Sequence, residues 1–113
     1  MIALTANTKI LVATQPIDFR KQFDGIIAHC RQALQVDPRC GTVFVFANKS
    51  KTMIRALAYD ANGYWLMSKR LSKGKFGRWP SKSETLSSVT ARELLGLLRT
   101  SIDNNEAQFV ASR

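Results

Sequence analysis

The side chains that could carry out covalent or metal chemistry are few in this chain, and their spacing does not suit them to it. His29 is the one histidine. It falls off the apolar stripe of Ile26, Ile27 and Cys30, so it reads as a solvated helix residue rather than a ligand or base. Asp18, Asp24 and Asp60 could be drawn together as a three-carboxylate nuclease centre. However, Asp18 and Asp24 are six residues apart, which does not put them on one helical face, and Asp60 stands in a turn motif. Cys30 and Cys40 have no Cys-x-x-Cys spacing for zinc, and one pair is not a disulfide framework. Cys30 reads as a small core residue and Cys40, beside Gly41, as a loop thiol. There is no phosphate-cradling glycine loop and no Gly-x-Ser-x-Gly elbow. The sequence therefore predicts a non-enzyme with no catalytic residue, no metal ligand and no cofactor.

Charge carries more information. The formal net charge is +9, and the excess is concentrated. No acid occurs between Ala61 and Ser83, a window that holds Lys69, Arg70, Lys73, Lys75, Arg78 and Lys82. Lys49, Lys51 and Arg55 lie just upstream, with Asp60 the one acid between Asn48 and Lys82. Tyr59, Tyr64, Trp65, Phe76 and Trp79 are interleaved with them. A polyanion meeting such a surface releases condensed counterions. Arginine offers a fork to phosphate or guanine, and lysine a point charge. A tryptophan at the edge of such a surface can stack on an unpaired base. Lysines also protect sheet edges from aggregation, but six basic residues in one acid-free window exceed that need.

The elements that must position these residues follow from periodicity. Lys9–Thr14 reads as a strand, stopped by Pro16. Phe19, Phe23, Ile26, Ile27, Cys30 and Leu34 make a helical stripe, with Asp18 as the expected N-cap. Gly25 within it signals close packing or a later helix start. Thr42–Ala47 is apolar on both faces and reads as a central strand. Thr52–Tyr59 and Tyr64–Leu71 follow across short turns, with Asn62-Gly63 suited to positive φ. Alternation places Trp65, Met67, Lys69 and Leu71 on one face, with Trp65 expected in the core. Phe76–Trp79 reads as a short returning strand, so that the Ser72–Lys75 turn closes a basic two-stranded ribbon able to enter a major groove. Ser81–Val89 reads as irregular. Thr90 and Glu93 form a capping box for a helix with Leu94, Leu95, Leu97, Leu98 and Ile102 on its apolar face.

These elements assemble as an α+β domain. The expected architecture is an antiparallel β-meander of four to five strands with two helices packed on one face. The chain's 113 residues and 45% hydrophobic content suit one domain with one core. Residues 1–103 are expected to form it, with 104–113 a flexible tail. No apolar run approaches the ~20 residues of a membrane span. The start of the chain lacks the pattern of a signal peptide, so a cytoplasmic protein is expected.

Two segments resemble a known family. The first is Asp18-Phe19-Arg20-Lys21-Gln22-Phe23-Asp24-Gly25. The second runs through Val45-Phe46, Asn48-Lys49, Ile54-Arg55-Ala56-Leu57, Asp60, Gly63, Leu66, Lys69-Arg70-Leu71, Gly74 and Phe76 to Trp79-Pro80. Together they resemble the TnpB, or second-open-reading-frame, accessory proteins of bacterial insertion sequences. The resemblance spans Asp18 to Pro80 and extends into the leucine-rich helix. Three features depart from the family pattern: Ala58-Tyr59-Asp60, Ser72, and a Phe76–Pro80 stretch one residue longer than usual. The resemblance implies a small protein encoded beside a separate transposase, which assists transposition without being the strand-transfer enzyme.

Residues and resemblance together give one expectation. The chain is read as a DNA-binding accessory factor that contacts phosphates through Lys69, Arg70, Lys73, Lys75 and Arg78. Lys49, Lys51 and Arg55 support that patch, and Arg20 and Lys21 extend it. Its expected partners are DNA, with element ends foremost, and the transposase; a homodimer is left open. The alternative is an adaptor that docks on the transposase without touching DNA, with Phe76 and Trp79 as its anchor.

Overall fold

The computed structural model describes residues 5–80 and 84–99. In chain order they form β1 (Ile10–Ala13), α1 (Phe23–Gln32), β2 (Val43–Ala47), β3 (Met53–Asp60), β4 (Gly63–Arg70), β5 (Leu86–Val89) and α2 (Ala91–Arg99). The expected tail at 104–113, along with Ile102 and Lys82, lies outside the described residues.

The five strands form one sheet in the order β4-β3-β2-β1-β5. β2, β3 and β4 are a meander, because the turns at Asn48–Lys51 and Ala61–Asn62 are too short for anything else. The first turn is built by Asn48, whose Oδ1 accepts from the backbone N–H of Thr52 (3.0 Å) and of Met53 (3.1 Å). The second takes its positive φ at Ala61 (+56°) rather than at Asn62 or Gly63, since Gly63 is already paired with Asp60. The α+β class and the mostly antiparallel sheet are as expected. One pairing differs: β1 runs parallel to β2, with Ile10 against Val43 and Val12 against Val45. Parallel neighbours need a long crossover, and the segment carrying α1 provides it. β5 then pairs antiparallel with β1 at the far edge. The segment 86–89 is therefore a strand, not irregular. Leu86 and Val89 pack on opposite sides of it while its two serines pair with the backbone of β1.

The two helices lie on opposite faces, which corrects the expectation of one shared face. Val43, Val45 and Ala47 of β2 pack with Ile10, Val12, Ile54 and Leu94 of α2. Phe44 and Phe46 pack with Leu57 and with Ile26 and Cys30 of α1. All five residues of β2 are buried, so a strand apolar on both sides is covered on both sides. α1 starts at Phe23, five residues after Asp18. Asp18 instead closes a tight turn, its carboxylate accepting the Arg20 backbone N–H at 2.9 Å. Gly25 satisfies both sequence signals, because a Cβ there would come within 3.0 Å of the Lys21 side chain. α2 begins on its capping box. Thr90 Oγ1 accepts from the Glu93 N–H (3.0 Å), and Glu93 Oε1 accepts from the Thr90 N–H (2.8 Å).

Candidate nucleic-acid interface

The basic residues collect at one end of the sheet, where β2 ends, β3 begins and β4 ends. Lys49 and Lys51 sit in the β2–β3 turn, with Lys51 at φ +60°. Arg70 and Lys69, the last residues of β4, pair with Met53 and Ile54 at the start of β3. The chain then folds back along the same turn. The Leu71 N–H donates to the Thr52 carbonyl (2.9 Å) and the Phe76 N–H to the Lys51 carbonyl (2.8 Å). Those two bonds hold Lys73 and Lys75 beside Lys51.

Phe76 and Trp79 fix this loop to the body of the protein. Phe76 is buried among the residues that also pack α2, and Trp79 lies against them. The Trp79 Nε1–H donates to the Ala13 carbonyl at 2.8 Å. Both aromatics are thus used inside the fold rather than presented as a docking anchor. The segment 71–80 is not a strand, so the expected two-stranded ribbon does not form. Phe76 turns inward as a core residue and its N–H donates to the Lys51 carbonyl, which draws the segment toward the β2–β3 turn instead of along the outer edge of β4. The charges therefore project from a clamped loop and a tight turn.

The ten expected contact residues divide into two groups. Lys49, Arg70, Lys73, Lys75 and Arg78 are exposed, and Lys51 is half-exposed. Among the described residues, ion pairs join Arg20 to Asp18 (2.6 Å) and Arg39 to Asp37 (4.0 Å), and none involves those six. The remaining four have structural ties. The Arg55 Nη1 donates to the carbonyls of Phe19 (2.9 Å) and Lys21 (2.7 Å), and its Nε donates to Ser68 Oγ (3.2 Å). Its guanidinium also lies 4.7 Å from the centre of the Phe19 ring. Arg55 therefore pins the lead-in to α1, and Lys21 is one of its anchor points. The Lys69 ammonium donates to the Leu98 carbonyl (3.1 Å) in the last turn of α2, where a cation is favoured. Arg20 donates to Asp18 through Nε and Nη2. That pairing holds the Asp18 carboxyl down to about 2 and raises Arg20. Lys69 and Arg70 are sequence neighbours on a strand, so they fall on opposite faces of the sheet.

Two other residues differ from expectation. Trp65 is 42% exposed rather than core, its Nε1–H donating to Asp60 Oδ2 at 3.4 Å. It lies on the edge strand, and α2 meets that strand further along, at Lys69. His29 is half-buried, edge-on to Phe46 with ring centroids 6.1 Å apart. Burial, and secondarily the Lys21 charge, lower its pKa. Burial pushes the Cys30 thiol up to about 11, which makes it inert, as a packed core cysteine should be. Asp18 and Asp60 stand apart, one at the basic end and the other at the β3–β4 hairpin tip. Among the described residues no group of three His, Cys, Asp or Glu side chains is placed to hold a metal.

Sequence reasoning missed Pro16, Ile17 and Ser50. With Asp18, Phe19, Arg20, Asn48 and Lys49 they surround a cavity of about 540 Å³ beside the basic end. Pro16 read only as a strand stop, and Ile17 carried no assignment. No periodic signal links segment 16–20 to the turn at 48–50.

No helix among the described residues is long and apolar enough to cross a membrane. The family model described as IS66 Orf2 like protein matches residues 8–108. Protein y4jC of Sinorhizobium fredii is 41% identical over 86 residues, covering 76% of this chain and 74% of that one. Protein y4hO of the same organism is 29% identical over 98 residues, covering 87% of this chain and 84% of that one. No solved structure matches the chain.

Proposed function

The chain belongs to the IS66 Orf2-like family of transposition-associated accessory proteins, and from that premise we propose that it assists transposition as a non-catalytic DNA-binding factor. One observation carries this reading. Lys49, Lys51, Arg70, Lys73, Lys75 and Arg78 gather at one end of the sheet, and no carboxylate among the described residues pairs with any of them. Charges clustered without counter-charges repel one another in the free protein, and that repulsion is relieved when phosphates arrive. In this proposal the clamped loop and the turn present these six to the backbone of a duplex. Arg55, Lys69 and Lys21 hold the frame, and Arg20 stands at the flank. The bound DNA is the end of the element, and the partner in the reaction is the separate transposase. The protein works in the cytoplasm.

Binding measured against salt tests the reading. Each phosphate contact adds about 0.9 to the slope of log affinity on log salt. Neutralising Lys73 and Lys75 together should flatten the slope by about two. Lys51→Gly is a clean third change, because glycine tolerates the positive φ there. Retention on the transposase in high salt, with no DNA bound by this chain alone, would replace the proposal with the adaptor reading.

A further inference from the structure

The cavity beside the basic end combines two chemistries. Pro16, Ile17 and Phe19 give it an apolar wall, while Arg20, Lys49 and Ser50 bring two cations and a hydroxyl. The Asp18 carboxylate also lines it and is taken up by Arg20, which leaves Lys49 as the cation without a carboxylate partner among the described residues. Its volume of about 540 Å³ lies within the range of small-molecule sites. The wall is held from several sides. The Ile17 N–H donates to the Ala47 carbonyl at 3.0 Å, which ties the segment to the end of β2. Arg55 grips the Phe19 carbonyl and lies against its ring. On the other side, Asn48 is locked by its bonds to Thr52 and Met53. The site is thus largely preformed, and little ordering is needed when a ligand enters.

A nucleotide has a matching division, a flat base with apolar faces joined to an anionic phosphate. We propose that this cavity takes one unpaired nucleotide of a DNA strand. The base lies against Phe19 and Pro16, and its phosphate meets Lys49 and the Ser50 hydroxyl. Arg20 uses Nε and Nη2 on Asp18, which leaves Nη1 for a second phosphate oxygen. A fully paired duplex has no base to offer, so the site discriminates by strand state. This inference rests on the DNA-binding reading above and goes beyond it. The basic end grips any DNA, and the cavity adds a preference for DNA that is bulged, frayed or single-stranded.

The test uses the full chain and short oligonucleotides carrying 2-aminopurine, whose fluorescence falls on stacking. Three forms are compared: single strand, perfect duplex, and duplex with the analogue as a single bulged base. The expected result is quenching with the first and third, and about tenfold tighter binding of the bulged duplex than of the perfect one. Phe19→Leu keeps an apolar side chain at that position and removes the flat face. It should erase most of the bulge preference while leaving perfect-duplex binding within about threefold, and so should Ser50→Ala, which removes an exposed hydroxyl of the cavity that lies outside the six duplex-facing cations. Equal affinity for bulged and perfect duplex, with no fluorescence change, would overturn the cavity assignment and leave the DNA-binding reading intact. Displacement of the signal by free deoxynucleoside monophosphate, without any strand preference, would also overturn it. Failure to bind any of the three DNAs would overturn the DNA-binding reading itself.

Discussion

Arg55 distinguishes a structural cation from a DNA-contacting one, and its replacement has a size that follows from its contacts. Its guanidinium donates to two backbone carbonyls at 2.7 and 2.9 Å and lies 4.7 Å from the Phe19 ring centre. A hydrogen bond from a charged donor contributes about 1.5–3 kcal/mol, and a cation–π contact near the surface about 0.5–1 kcal/mol. Both carbonyl bonds share one nitrogen, and the site is only half-buried, so the contributions do not add fully. Arg55→Met should therefore cost about 2–3 kcal/mol. For a chain of 113 residues that lowers the melting temperature by roughly 8–13 °C. Arg55→Lys keeps the charge without the planar fork, and should recover less than half of the loss. Thermal unfolding followed by circular dichroism gives the number, and DNA binding against salt gives the second axis. A melt of Arg55→Met within about 2 °C of the parent, together with a salt slope flatter by about one, would refute the structural role of Arg55. Arg55 would then be a phosphate contact and not the pin of the α1 lead-in.

His29 has a lowered pKa in the fold, so the unfolded chain binds more protons as pH falls through the ordinary histidine range. Stability should decline from about pH 7 to pH 5, and His29→Gln should flatten that decline in urea titrations at each pH. Asp18, held down to about 2, has the same sign lower on the scale: its contribution is present above 3.8 and is lost as pH falls toward 2. Thr90→Ala removes the cap of α2 and should cost about 1 kcal/mol, with Thr90→Ser recovering most of it in the same melts. Trp79→Phe leaves the Ala13 carbonyl without its donor, at a cost of about 1–2 kcal/mol. It should also loosen the loop at Lys73–Lys75, seen as faster tryptic cleavage there than in the parent.

The amino-acid sequence determined the parts of this protein that depend on neighbours in the chain. The apolar run at 43–47 made a strand buried on both faces. The Thr90–Glu93 spacing made a helix cap, and the acid-free stretch from Ala61 to Ser83 made a concentration of charge. These are local facts of pattern, turn length and composition. The family also followed from local motifs. The tertiary structure decided which faces those parts share. The parallel pairing of β1 with β2 and the placement of α1 and α2 on opposite faces depend on a crossover whose ends are about thirty residues apart. The roles of the cations were decided in the same way. Arg55, Lys69 and Lys73 look alike in sequence, yet Arg55 reaches a carbonyl 36 residues away and Lys69 one 29 residues away. Composition counts charges, but only folding settles which donors meet buried or helix-end carbonyls and which are left facing water. The cavity at Pro16–Arg20 belongs wholly to that second class, because its two walls meet only after β1 and β2 have paired.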